Sequence, residues 1–203
     1  MKLQLSLLIA ASLATTILVA NANTDAQSPK PKFNSIEHYD KKIKKSKEGL
    51  LSYKAETKKK IDKLTSEVAS EEEIFVTITF TKPVNKAQVT KLVNDYNLKI
   101  GYSIARLKGE NGLRSTMFTK ASPENGFINE ETTNLSSSQN KSEFKGFIEL
   151  IGTVPSKKLQ ALASENFVFL VDPSADSHLV LNPKMDYVPG AFWKLEDNNM
   201  VTE

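Results

Sequence analysis

Residues 144–172, Phe144-Lys-Gly-Phe-Ile-Glu-Leu-Ile-Gly-Thr-Val-Pro-Ser-Lys-Lys-Leu-Gln-Ala-Leu-Ala-Ser-Glu-Asn-Phe-Val-Phe-Leu-Val-Asp172, read as strand, helix, strand. Phe144–Val154 is a β-rich apolar run, Pro155-Ser156 opens a helix over 157–164 with Leu159 and Leu162 as its apolar positions, and Phe167–Val171 is a short hydrophobic strand stopped by Asp172-Pro173. A helix that joins two strands is a crossover and calls for a sheet with helices laid on it.

Upstream the same order occurs once more. Ile74–Thr81 (IFVTITFT) alternates at period two, with Ile74, Val76, Ile78 and Phe80 on one face, and Pro83 is expected to stop it. Asn85 caps a helix over 85–96 with Val89, Leu92, Val93 and Tyr96 turned inward, and 98–107 is a second strand. The turn chemistry of Lys108–Gly112 allows 113–119 to fold back as an extra hairpin strand. Residues 121–143 turn to Ser, Asn, Glu and Pro and are expected to form a mobile loop. The expected fold is α+β: a ferredoxin-like βαββαβ antiparallel sheet with two helices on one face, spanning 73–181 and preceded by a basic N-terminal helix. That plan hosts many functions.

The N-terminus reads as an export signal. Lys2 precedes an apolar run over 3–20 that ends in Ala20-Asn21-Ala22, a small-x-small pattern, so residues 1–22 are expected to be cleaved as a signal peptide, with a retained anchor as the alternative. The expected location is secreted, either extracellular or associated with the cell wall. Residues 23–34 read as a disordered linker, and residues 35–72, with no proline and one glycine, as a lysine-rich amphipathic helix that Gly49 divides. Its stripe runs Ile36, Tyr39, Ile43, Leu50, Tyr53 and, after a shift of register, Ile61, Leu64, Val68. Charge is segregated: residues 24–70 hold 12 Lys against 7 Asp+Glu, and residues 71–203 hold 14 Lys+Arg against 17 Asp+Glu. The basic rod either docks on its own domain or self-associates, or it makes weak contact with an anionic cell envelope. No aromatic residues alternate with its lysines, so no nucleic-acid partner is expected.

Composition narrows the chemistry. The chain of 203 residues has no Cys and two His, which excludes thiol catalysis and cysteine-ligated metal and leaves little acid–base machinery. Neither a phosphate-binding loop nor a dinucleotide fingerprint occurs. Asp172, Asp176, His178 and Asp186 lie close along the chain without a ligand spacing, and Ser174, Asp176 and His178 are too close in sequence for a triad assembled by the fold. No catalytic residue, metal or cofactor is therefore assigned, and the chain is expected not to be an enzyme. The tail 182–203 contains Tyr187, Phe192 and Trp193 around Pro189-Gly190; such aromatics either anchor an interface or fold back over a small sheet.

The stretch 144–172 resembles the second half of the propeptides of subtilisin-type proteases, a family that includes free-standing inhibitors of those enzymes. The matching positions are Phe144-x-Gly146-Phe147, Pro155, Leu159, Leu162 and Val168-x-x-Val171-Asp172. The resemblance implies a non-enzymatic protein-binding domain that inhibits a subtilisin-like serine protease or assists its folding. In that family mode the sheet rests on the protease and the segment after the last strand, here 172–181, lies extended in the substrate cleft. Partner-binding residues would then be Asp172, Ser174, Asp176, His178 and Leu179, with Tyr187, Phe192 and Trp193 from the tail. A cell-envelope adaptor using the lysine-rich helix is the alternative.

Overall fold

The computed structural model describes residues 46–121, 138, 141–180 and 189–201. The chain divides into two units, Met1–Lys30 and Pro31–Glu203, and every described residue belongs to the second. The expected signal peptide, the linker, the first part of the basic helix, most of the loop 121–143 and Tyr187 lie outside the described residues.

The elements are α1 (Lys47–Glu67), β1 (Glu73–Val84), α2 (Lys86–Tyr96), β2 (Lys99–Gly109), β3 (Arg114–Lys120), β4 (Ser142–Pro155), a 3-10 turn (Ser156–Lys158) leading into α3 (Leu159–Ala163), β5 (Val168–Asp172) and α4 (Phe192–Asp197). Local chemistry accounts for most of these boundaries. Ser46 Oγ accepts the Gly49 N–H at 3.1 Å to start α1, so among the described residues Gly49 sits in a first turn and divides nothing. The α1 stripe also needs no shift of register, because Thr57 is buried between Tyr53 and Ile61 and returns its hydroxyl to the Lys54 carbonyl at 2.9 Å. Asn85 and Gln88 form a reciprocal capping box at α2, with bonds of 2.9 and 3.1 Å, and Asn97 ends the helix in the left-handed region at φ 53°.

Pro83 does not stop β1. The strand runs to Val84, and the ladder to β4 shifts register between Thr79 and Val84, so the residue without an N–H falls where no ladder bond is required.

All strand pairs are antiparallel, in the order β3-β2-β4-β1-β5. The α+β class is thus as expected, but the sheet has five strands in this order and not the four-stranded ferredoxin-like set. Arg114–Lys120 pairs along the free edge of β2, where the Gly109–Gly112 turn returns it, and becomes an edge strand of the sheet. Gly152 allows β2 and β4 to meet closely, since a Cβ there would stand 2.2 Å from the Lys99 carbonyl oxygen.

Two apolar layers cover the sheet. On one side Ile74, Val76, Ile78 and Phe80 pack with Val89 and Leu92 of α2, Leu159 and Leu162 of α3, and Ile61 and Leu64 from the end of α1. A second cluster joins Ile104, Ile148 and Ile151 to Leu50 and Tyr53 from the start of α1 and to Phe192 and Leu195 of α4. The sheet therefore has no bare face among the described residues, contrary to the open face that the family mode implies. The reason is simple: the apolar stripe of α1 and the aromatic tail each carry more hydrophobic surface than solvent tolerates.

Candidate functional site

The expected partner-binding residues after β5 are built into the fold. The chain from Pro173 to Val180 does not extend; it makes consecutive turns, with the Asp176 N–H bonded to the Pro173 carbonyl at 2.9 Å and the Leu179 N–H to the Asp176 carbonyl at 3.0 Å. Asp172 is buried, accepts the Tyr53 hydroxyl and accepts the Ser174 N–H at 2.9 Å. Burial, with the Asp172 charge second, pushes the Tyr53 phenol far above its usual value, so it stays a proton donor. Ser174 Oγ accepts from Lys60 Nζ at 2.6 Å. Asp176 Oδ2 accepts the Phe75 N–H at 2.6 Å, and its Oδ1 holds the His178 N–H at 2.9 Å with His178 Nδ1 at 2.8 Å. Leu179 is half-buried against the core. These residues fasten α1 and the segment after β5 to the sheet at the start of β1. Tyr53→Phe is expected to lower the unfolding free energy by about 2 kcal/mol, the usual worth of a hydrogen bond to a charged group; urea denaturation of the two proteins checks it.

Sequence reasoning missed a second polar centre, which lies under the C-terminal segment. Glu149 is buried, and Arg106 is only 3% exposed. Glu149 Oε1 accepts the Phe192 N–H at 2.9 Å, while the neighbouring Ala191 N–H goes to Thr79 Oγ1 at 3.0 Å. Burial pushes the Glu149 carboxyl up to about 7, against the Phe192 N–H, the charge of Arg106 and the Gly190 N–H, which hold it down. Gly190 is required at this approach, since a Cβ there would stand 2.0 Å from the Glu149 carboxyl carbon. Arg106 pairs with Glu196, donates from Nη1 to the Ser115 carbonyl at 3.0 Å, and lies 4.1 Å from the Trp193 ring centre. Arg114 reaches Glu196 at 3.2 Å and stands 5.3 Å from the same ring. Of the two tail aromatics described, Phe192 is thus a core residue, and Trp193, 39% exposed, lies under the two arginines. The signal for this centre was present in the sequence as a charge inside each of two apolar runs, Ile104-Ala-Arg106-Leu107 and Phe147-Ile-Glu149-Leu150.

A recess opens on another side of the molecule. A groove of about 770 Å³ lies between α1 and α3, with Phe169, Leu170 and Val171 of β5 lining it. Leu51, 47% exposed, Lys54, Ala55 and Lys58 face it from α1. Lys54 Nζ is 4.8 Å from the Phe169 ring centre, and desolvation pulls its ammonium below the usual value. Asp62, also on this helix, accepts Gln160 Nε2 of α3 at 3.1 Å and ties the two walls together. The sequence reading placed Lys54 and Lys58 on a solvated rod and had no means of setting them beside β5.

Among the described residues no three His, Asp or Glu side chains gather as a metal-binding group. No described helix is long and apolar enough to cross a membrane. No family model, no curated protein and no solved structure matches the chain.

Proposed function

We propose that the chain is an exported, non-enzymatic protein-binding domain whose partner is a subtilisin-like serine protease. The observation that carries the binding reading is the groove between α1, α3 and β5. Its volume of about 770 Å³ falls in the range of recesses that hold ligands, and it combines apolar lining with two lysines. The buried acids fit a structural role, because Glu149, Asp172 and Asp176 each accept a backbone N–H of the fold itself, and Asp172 the Tyr53 hydroxyl as well. The partner class rests on the resemblance of 144–172 to protease propeptides.

In this reading the domain is a ferredoxin-like sandwich that carries β3 as an added edge strand. The order β2-β4-β1-β5 that remains when β3 is set aside supports that view, with α2 and α3 as the two crossovers. The mode of binding departs from the family's, because α4 and the first half of α1 lie on the sheet face that a propeptide presents. The protease would meet the groove instead.

The full chain, titrated into a subtilisin-type protease acting on a chromogenic peptide, is expected to inhibit it, with inhibition persisting at high salt. Lys58→Glu is expected to weaken inhibition about fivefold, a change of about 1 kcal/mol. A protease left fully active while the chain is digested overturns the reading. Salt-sensitive retention on cell envelopes without inhibition overturns it in favour of an adaptor that uses the lysines of α1.

A further inference from the structure

The C-terminal segment 189–201 is held to the sheet by side chains. Among the described residues its backbone–backbone hydrogen bonds stay within it, at Leu195, Asn198, Asn199 and Met200. Its ties to the rest of the fold are of another kind: the Ala191 N–H donates to Thr79 Oγ1, the Phe192 N–H to Glu149 Oε1, and Glu196 pairs with Arg106 and Arg114. Phe192 and Leu195 add apolar contact in the cluster of Ile104, Ile148 and Ile151. α4 has six residues, too few to stay helical in water on its own. The segment is thus built to dock or to leave as one piece.

It closes most tightly over Glu149. A Cβ on Gly190 would overlap the carboxyl carbon and both oxygens, so no water fits between Gly190 and the acid. The charges around this site balance in one protonation state alone. β2 supplies Arg106, which bonds Glu196 and the Ser115 carbonyl and acts on Glu149 through its charge; β3 supplies Arg114, beside Glu196 and Asp197 of α4. β1 offers the Thr79 hydroxyl, β5 the apolar Phe169 and Leu170, and α1 Leu50 and Tyr53, whose phenol keeps its proton. Two guanidinium groups therefore face two carboxylates, and the cluster is neutral while Glu149 is protonated. Ionised, Glu149 adds a surplus negative charge in a site without water, which is costly unless the site opens. Burial raises this carboxyl to about 7, so the surplus arises near neutral pH.

We propose that the segment 189–201 is a proton-controlled latch: it lies on the sheet while Glu149 is protonated, and ionisation of Glu149 lets it lift as a unit and uncover the apolar face of Ile104, Ile148 and Ile151. The docked form holds the Glu149 proton more tightly than the open form does, so docking is strongest in acid and weakens as pH rises through the docked-state value. With the carboxyl at 4.5 when open and about 7 when docked, the docking equilibrium falls on the order of a hundredfold from pH 5 to pH 8. The latch is separate from the groove between α1 and α3, and it stands whether or not the partner is a protease.

The test is amide hydrogen exchange of the full chain, read residue by residue by NMR and corrected for intrinsic rates at each pH. The Leu195 and Met200 amides, bonded within the segment at 3.0 and 2.8 Å, are expected to be at least about tenfold less protected than those of Leu150 and Ile151 in β4. Their protection is expected to fall on the order of a hundredfold from pH 5 to pH 8. Glu149→Gln, which has no proton to lose, is expected to hold it constant within about threefold. Gly190→Ala, whose methyl displaces the segment, is expected to lose most of this protection already at pH 5 while β4 stays protected, and to raise acrylamide quenching of Trp193, the single tryptophan of the chain, at least about twofold. Equal protection of the segment and of β4 at every pH overturns a separate opening. A pH dependence that is missing from the parent, or that survives in Glu149→Gln, overturns the control by this proton. A segment as well protected in Gly190→Ala as in the parent overturns the tight closure over Glu149. Should Gly190→Ala fail to fold, the comparison of Glu149→Gln with the parent decides alone.

Discussion

Phe192→Ala is expected to cost the domain about 3 to 5 kcal/mol, as loss of a buried aromatic ring with the cavity it leaves usually does. Phe192 has 0% of its surface exposed and packs with Leu195, Ile148 and Ile151 in the cluster that α4 brings to the sheet. Its backbone N–H is also a donor to Glu149, and the adjacent Ala191 N–H binds Thr79. Loosening the ring therefore strips the segment 189–201 of its apolar anchor and leaves a buried carboxylate with weakened solvation. Urea denaturation gives the number, and Leu113→Ala, at a residue 68% exposed, is the control expected to stay below about 1 kcal/mol. A Phe192→Ala cost no larger than that of the control would show that α4 is not part of the cooperative fold.

The second large effect is a dependence on pH. The Glu149 carboxyl is raised from 4.5 to about 7 in the folded protein by burial, so between these values the folded state holds a proton that the unfolded chain has released. The stabilisation is fully present below the unfolded value and is lost as pH rises through the folded value. At about 1.4 kcal/mol per unit the loss is on the order of 3 kcal/mol. The groups facing Glu149 come from every element around it: Arg106 from β2, Glu196 from α4 and the N–H groups of Gly190 and Phe192 from the C-terminal segment. Arg106 is itself pulled below its ordinary value by desolvation and is held by Glu196, so it offsets the Glu149 charge only in part. Glu149→Gln keeps a carbonyl for the Phe192 N–H and removes the titration. Its stability relative to the parent is expected to be lowest near pH 4.5 and to rise by on the order of 3 kcal/mol toward pH 8. A difference that stays flat across this window would rule out Glu149 as the titrating group.

Much of the fold was legible along the chain because its causes are local. A period-two pattern marked Ile74–Phe80, Asn85 announced a helix start by the chemistry of its side chain, and Leu159 and Leu162 stand at positions that only a helix brings to one side. Pro83 misled because a proline usually closes a strand; here the irregular ladder beside Phe147 absorbs it. Asp172 and Asp176 were read along the chain as candidate partner-binding residues, with turn formation as the alternative, and the structure shows their carboxylates bonded within the fold. Their partners were not visible, because Tyr53 lies 119 positions from Asp172 and Phe75 lies 101 positions from Asp176.

The sequence by itself determined the strands and helices between residues 73 and 172 and their order, since these follow from hydrogen bonds and spacings within a few residues. It also determined that Phe192 and Trp193 would require cover or a partner. Only the tertiary structure decided which surfaces meet: that α4 brings Phe192 onto Glu149, that Arg106 finds Glu196 across 90 positions, and that α1 stands beside β5 and leaves a groove against α3. Hydrophobic attraction has no direction, so a stripe states that it will be buried without stating against what. The packing of the described elements settles that choice.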